Sequence, residues 1–229
     1  ARANSKGLPG KNLKSFCGLP LVRHSFLCAL RIPEVTDIVI TSDSEEILAA
    51  GCPDPGFWLL RPSELAEDDT PIWAVIRHAL AERERRYGMV FDYVVLLEPT
   101  SPCRRPAWIS EALAMLKEKS HSDGLHGISL TPFNPIWNCL TENEGYLQYL
   151  VPQGRFYFRR QDVPPTYRMD GSFHIWRTRF VRETEGGYHW GRHIGYKTDP
   201  SWACSIDTLE EFEELEEKVK RGVIKLPWM

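Results

Sequence analysis

Several features that mark specialised proteins are scarce or absent in this 229-residue chain. It holds six cysteines, at 17, 28, 52, 103, 139 and 204, with no CxxC pair. That spacing argues against a disulfide scaffold and for reduced thiols in a cytoplasmic protein. No apolar run approaches the ~18 residues a transmembrane helix needs, and no signal peptide is visible, so no membrane partner is expected. The sequence has no internal repeat and no low-complexity tract. It also has no excess of positive charge, because 28 Lys and Arg stand against 31 Asp and Glu for a net charge of −3. A broad nucleic-acid surface needs a basic excess, so nucleic acid is not an expected partner. With 42% hydrophobic and 26% charged residues the composition is that of a soluble globular protein, not a disordered chain or coiled coil. The length suits one domain over 1–229, with room for a small lobe.

What the chain does have is unevenly spread charge. Residues 1–31 contain Arg2, Lys6, Lys11, Lys14, Arg23 and Arg31 and no acid. Residues 155–182 hold seven Arg against two Asp, and the rest of the chain carries −14. Two cationic segments in an acidic body suit small anionic ligands.

Apolar runs alternate with helical patterns. Strands are expected at Asp37–Ser42, Phe57–Leu60, Asp92–Leu97, Leu125–Leu130 and Ser172–Trp176. Helices are expected at Leu21–Leu30, Pro71–Arg86, Pro106–Lys119 and Thr208–Arg221, with Thr208 as N-cap of the last. This alternation predicts a three-layer α/β Rossmann-like domain with a mainly parallel sheet and its site at the carboxyl ends of the strands. Residues 132–170, rich in proline and aromatics, read as an inserted strand-and-loop lobe.

The opening segment, Ala1-Arg-Ala-Asn-Ser-Lys-Gly-Leu-Pro-Gly-Lys-Asn-Leu-Lys14, offers glycines for close approach of backbone amides to an anion and cations for a polyphosphate. It is not a Walker A loop, because Asn12 follows Lys11. A phosphate loop normally follows a strand, so either a strand precedes Ala1 outside this sequence or the loop reading fails.

The pattern RxxSKGLPGKN closely resembles the nucleotide-binding signature of the N-acylneuraminate cytidylyltransferases, also called CMP-sialic acid synthetases. Five further blocks follow in the same order. They are Ile40-Thr-Ser-Asp-Ser-Glu-Glu-Ile47, Arg61-Pro-Ser-Glu-Leu-Ala66 with Asp68-Asp-Thr-Pro71, Leu96-Leu-Glu-Pro-Thr-Ser-Pro102 with Arg104, Arg159-Arg-Gln-Asp162 with Tyr167-Arg-Met-Asp-Gly171, and Ser205-Ile-Asp-Thr208.

The resemblance implies transfer of CMP from CTP to the anomeric hydroxyl of a nine-carbon 2-keto sugar acid, with release of pyrophosphate. It implies that Arg2, Lys6 and Lys11 hold the triphosphate. Asn4, Ser5, Gly7 and Asn12 would support the loop or the nucleotide, and Asp43, Arg61, Asp69 and Thr70 would lie on the nucleotide side. Arg159, Arg160 and Arg168 are candidates for the sugar carboxylate, which favours an Arg fork. Gln161, Tyr167, Glu98, Thr100, Ser101 and His174 are its candidate neighbours. Asp207 is the candidate ligand for Mg²⁺ or Mn²⁺. A homodimer completed by the 132–170 lobe is implied as well.

The chain departs from the family pattern at Ser205, Glu98, Asp170 and His174, and at Trp137 and Asn138, where a Lys is common. Glu98 replaces an amide donor with a carboxylate that only accepts. These changes cluster on the sugar or metal side, so a variant acid such as legionaminic acid is the expected substrate beside N-acetylneuraminic acid. The alternatives are a 3-deoxy-manno-octulosonate-type cytidylyltransferase and a non-catalytic sugar-nucleotide-binding relative. His189 and His193, spaced i,i+4, would form a metal pair only on a helix, which Gly186, Gly187 and Gly191 argue against.

Overall fold

The computed structural model describes residues 1–3, 7–187 and 189–229. In chain order its elements are β1 (Ser15–Phe16), β2 (Leu19–Pro20), α1 (Leu21–Ala29), β3 (Ile40–Ser42), α2 (Glu45–Gly51), β4 (Trp58–Leu60), α3 (Ile72–Tyr87) and β5 (Tyr93–Leu96). There follow α4 (Pro106–Glu118), β6 (Gly124–Leu130), β7 (Leu140–Asn143), β8 (Tyr146–Tyr149), β9 (Tyr167–Arg177), α5 (Thr178–Glu183), β10 (His193–Lys197) and α6 (Leu209–Lys220). No helix among the described residues is long and apolar enough to cross a membrane.

The helix ends follow local chemistry. Thr208 caps α6 and forms a reciprocal capping box with Glu211, while Lys218 and Lys220 sit at the negative end of the dipole. Pro106 opens α4 at a position that lacks a helical N–H partner anyway. Gly88, at φ 63°, closes α3 in the left-handed conformation.

The central sheet runs β10-β6-β9-β5. Strands β5, β6 and β10 share one direction, and β9 is the reversed member. Helices cover both faces. Phe173, Ile175 and Leu125 face a core filled by Ile109 and Leu116 of α4 and Phe212 of α6. Trp176 faces the other way, against Trp73 and Leu80 of α3 and Phe180 of α5. The alternation of Ile175 and Trp176 is the period-two pattern of a strand covered on both sides.

Several sequence expectations need correction. Residues 167–170, the end of the expected strand-and-loop lobe, belong to the long strand β9. After a register shift near His126–Ile128, Tyr167, Arg168 and Met169 pair with Leu130, Ser129 and Ile128. Asp37–Val39 lie outside β3. α2, α5, β10 and the β1–β2 hairpin were not anticipated. β10 is short and interrupted by Gly195, so its apolar signal is weak.

β3 pairs only with β4, and β5 only with β9, among the described residues. Between β3 and β5 runs a channel with an apolar lining that includes Phe26, Ile40, Val75 and Val94. It opens into a polar cleft beside Ala1, Lys11 and Asp207, and together they enclose about 890 Å³.

Candidate functional site

The polar cleft lies at the carboxyl edge of the sheet, where α/β folds gather ligand-binding loops. Three segments meet there: residues 7–12, the turn 98–104 after β5, and 204–208 before α6. Gly10 adopts φ 66°, which turns the chain into a short helical turn carrying Lys11 and Asn12. Gly7 is required by proximity, since a Cβ there would stand 2.4 Å from the carbonyl oxygen of Asp207.

Lys11 is the centre of this junction. Its side chain is buried, and Nζ donates to Ile206 O at 2.6 Å and to Asp207 Oδ1 at 3.0 Å. The Lys11 ammonium holds the Asp207 carboxyl below its usual range, and Ser205 Oγ adds a bond to Oδ2 at 3.1 Å. Ile206 N donates to Thr100 O at 2.8 Å, tying the Asp207 segment to the turn after β5.

The amino-terminal residues are clamped from the side. Ala1 N lies 3.1 Å from Thr41 O. Arg61 is buried, donates to Ala1 O and stands 4.0 Å from Asp43. Burial pulls its pKa down while Asp43 opposes the shift. Asp43 in turn accepts from Ala3 N at 3.0 Å. Asn12 donates to Arg2 O at 2.9 Å, and Arg2 pairs with Asp68 at 2.7 Å. Arg2, Lys11 and Arg61 thus line one cleft, a cationic cluster suited to a polyphosphate.

Of the other expected residues, Gly7, Asn12, Thr70, Glu98, Thr100 and Asp207 also line the cleft. Burial raises the pKa of Glu98, and the nearby Arg104 cation opposes that shift. Asn4, Ser5 and Lys6 lie outside the described residues. Asp43 stands behind the lining, and Asp69 is exposed while its neighbours Asp68 and Thr70 face the cleft.

The sugar-side residues are placed differently. Arg160 and Gln161 are exposed on a short turn at 160–162, and Arg159 pairs with Asp162 at 2.8 Å on the same surface. Tyr167 and Arg168 stand exposed at the start of β9. Because β9 is reversed, that start lies beside Leu130, at the carboxyl edge of β6.

Two of the expected sugar-side residues point inward instead. Ser101 is buried and donates to Cys204 O at 2.7 Å. His174 is buried in the sheet, its Nδ1 2.8 Å from Nδ1 of His126 and its ring stacked on Trp176. Burial lowers the pKa of His174 to about 4 and that of His126 to about 3. The α3–α5 face of β9 supplies a dry environment there, so an alternating strand pattern buries the ring.

Two residues that stand in those blocks carry roles the sequence alone does not assign. Asp68 partners Arg2, and its signal was the acid run Glu67-Asp68-Asp69. Arg104, fully buried, donates to the carbonyls of Glu98 and Ser101 and so sets the turn after β5. Gly171 lets that turn touch β9, since a Cβ there would meet Ser101 Oγ at 2.6 Å. His189 and His193 share no helix, because β10 begins at His193. Among the described residues no cluster of three His, Cys, Asp or Glu could hold a metal ion. A carboxylate at Asp207 matches the mode in which Mg²⁺ takes one protein carboxylate and completes its shell with phosphates and water.

The family model described as cytidylyltransferase matches residues 1–223. Over 194 residues the chain is 30% identical to the CMP-N,N'-diacetyllegionaminic acid synthase of Legionella pneumophila, covering 82% of this chain and 80% of that protein. It is 28% identical over 217 residues to the N-acylneuraminate cytidylyltransferase of Streptococcus agalactiae, covering 93% of this chain and half of that protein. Among solved structures, a CMP:2-keto-3-deoxy-manno-octonic acid synthetase complexed with CTP superposes with a TM-score of 0.68 at 15% identity, over 97% of this chain and 96% of that one. At that identity the likeness speaks for the fold.

Proposed function

The chain belongs to the cytidylyltransferase family, and from that premise we propose that it transfers CMP from CTP to the anomeric hydroxyl of a nonulosonic 2-keto sugar acid, releasing pyrophosphate. The observation that carries this reading is the convergence of Arg2, Lys11 and Arg61 with Asp207 in one cleft. The sugar hydroxyl attacks the α-phosphorus, and the bond to the β,γ-pyrophosphate breaks. Charge gathers on the leaving oxygens, so fixed cations and positioning supply the catalysis. Lys11, already held by Ile206 O and Asp207, sits where it can meet that charge with little reorganisation. Mg²⁺, held by Asp207 and by CTP itself, would neutralise phosphate charge. Arg61 and Thr70 border the nucleotide, and Arg160 and Arg168 receive the sugar carboxylate.

The preferred acid is a di-N-acetylated variant of the legionaminic type. Glu98 alters the sugar side, and a relative 30% identical bears that substrate in its name. A homodimer fits the exposed side chains of Phe133, Tyr146, Leu147, Phe156 and Phe158, an apolar surface that a second copy would cover. Such a partner would bring its own 132–170 lobe to this cleft and complete the sugar side. A cytoplasmic location, where CTP is found, suits this activity.

Pyrophosphate release is the deciding assay. CTP with Mg²⁺ is offered together with N,N'-diacetyllegionaminic acid, N-acetylneuraminic acid or 3-deoxy-manno-octulosonate. The highest kcat/KM is expected with the first. Preference for N-acetylneuraminic acid would overturn the variant substrate, and preference for the octulosonate or no release at all would overturn the reaction class.

A further inference from the structure

CMP transfer gives no use to the apolar channel between β3 and β5. Residues 35–41 and 91–98 line it without interruption. A cavity against one face of a strand meets every second residue, so unbroken runs mean that the channel follows the strand edges. Among the described residues neither edge has a strand partner, since β3 pairs with β4 and β5 with β9. The faces above and below are covered. Val22 and Phe26 come from α1, which shares a core with α4, and Val75 and Ile76 come from α3, which packs on the opposite face. β3 is parallel to β4, and Arg61 and Glu98, just beyond β4 and β5, line the same polar cleft, so β3 and β5 run side by side toward it. Every residue of Tyr93–Leu96 is only half-buried, although strands covered by helices on both faces are ordinarily buried throughout.

We propose that this channel is a docking slot for an extended apolar segment that continues the chain on the amino side of Ala1 and adds a parallel strand between β3 and β5. Ala1 stands at the mouth of the channel, with its N 3.1 Å from Thr41 O, the contact that one strand makes with its neighbour, and with its carbonyl oxygen accepting from Arg61. A segment entering from there would satisfy the backbone groups of both edges at once. About five residues, a span of roughly 17 Å, make a strand of ordinary length. Valine and isoleucine suit it, because apolar helices meet it on both faces. With α1 and β3 it would complete a βαβ unit, in which consecutive strands are ordinarily neighbours. The loop bearing Arg2 and Lys11 would then leave the carboxyl end of a strand, where α/β folds hold anions. None of this depends on the CMP-transfer reading.

The test compares the chain of residues 1–229 with the same chain carrying Val-Ile-Val-Ile-Val before Ala1, and with a control carrying Val-Ile-Pro-Asp-Val there. The first extension should raise the melting midpoint by about 10 °C. It should also slow hydrogen exchange by about tenfold at alternate amides of residues 39–41 and 93–96. The control should do neither, because proline cannot donate to a ladder and a lone aspartate is costly in a dry slot. An unchanged melt and unchanged exchange with the first extension would overturn the slot. So would a larger assembly formed only by the extended chain, since its strand would then sit on a second copy. Dodecanoate bound as tightly by the extended chain as by residues 1–229 would assign the channel to an apolar ligand instead. If the extended chain aggregates, the intact mass and amino-terminal sequence of the protein isolated from its own cells decide. At least about five mainly apolar residues are expected before Ala1, the length of an ordinary strand, and a polar or proline-rich run there would overturn the proposal.

Discussion

Lys11 and Arg61 are buried, and each is held by backbone and carboxylate partners drawn from other segments of the chain. Arg159, Arg160 and Arg168 stand in solvent, and Arg159 pairs across a short turn with Asp162. Both groups are cationic, yet they occupy opposite physical regimes. A buried, hydrogen-bonded cation keeps its geometry before any ligand arrives and strengthens its field through low local polarity. An exposed arginine is screened by water and keeps its rotamer freedom until something orders it. On the proposed reading, the nucleotide side of the cleft is assembled within one copy of the chain, and the sugar side is completed by a second.

That contrast can be broken most sharply at Lys11. Lys11→Met should lower pyrophosphate release by about 10²- to 10³-fold, the cost of losing one preorganised donor. A thermal melt close to that of the parent protein would assign the loss to catalysis, and a loss under tenfold would collapse the contrast. Next come Arg160→Ala and Arg168→Ala, which should each raise KM for the sugar acid by about tenfold, the scale of one charge-assisted hydrogen bond, with KM for CTP unchanged. A shift in the CTP value instead would move these arginines to the nucleotide side.

His174 gives a third, pH-based test. Its pKa of about 4, and that of about 3 for His126, lie below the 6.5 of a free histidine. The unfolded chain thus binds more protons than the folded one in this window, and stability falls as pH drops from about 6.5 toward 4. The slope is about 1.4 kcal/mol per pH unit for each histidine. Melting curves of His174→Phe should show a shallower acid decline and an unaltered KM for the acid. A raised KM with the full decline would return His174 to the sugar pocket. The smallest effect is expected at Thr208→Ala, which removes the cap of α6 beside Asp207 and should cost about 1 kcal/mol by denaturant unfolding.

Much of the fold was legible because its signals were local. Thr208 as a cap, Pro106 at a first helical turn and the Tyr93–Leu96 strand all follow from side chains acting on their own backbone. β10 and the first residues of β9 were not legible, because their strand state comes from a neighbour's hydrogen bonds, with Leu130 facing Tyr167 and Leu125 facing Ile194. The cleft divides in the same way. Lys11, Asp207 and Glu98 stood in recognisable blocks, and the structure brings them to one cleft. His174 and Ser101 stood in such blocks too, but strand alternation and the contact with Cys204 turned them inward. Arg104 was read as part of a pattern, and only burial revealed it as the clamp of the turn.

Thr131 N donates to Thr166 O at 3.1 Å, and the two threonine hydroxyls meet at 2.6 Å, directly beyond the Leu130–Tyr167 pair. Residues 131–166 are therefore topologically the tip of one oversized hairpin, with entrance and exit fastened side by side. Closing such a tip costs little more when it is longer, because the entropy of closure grows only with the logarithm of length. Insertions or deletions within the segment should therefore cost little stability, because the fastened neck leaves β6 and β9 in register.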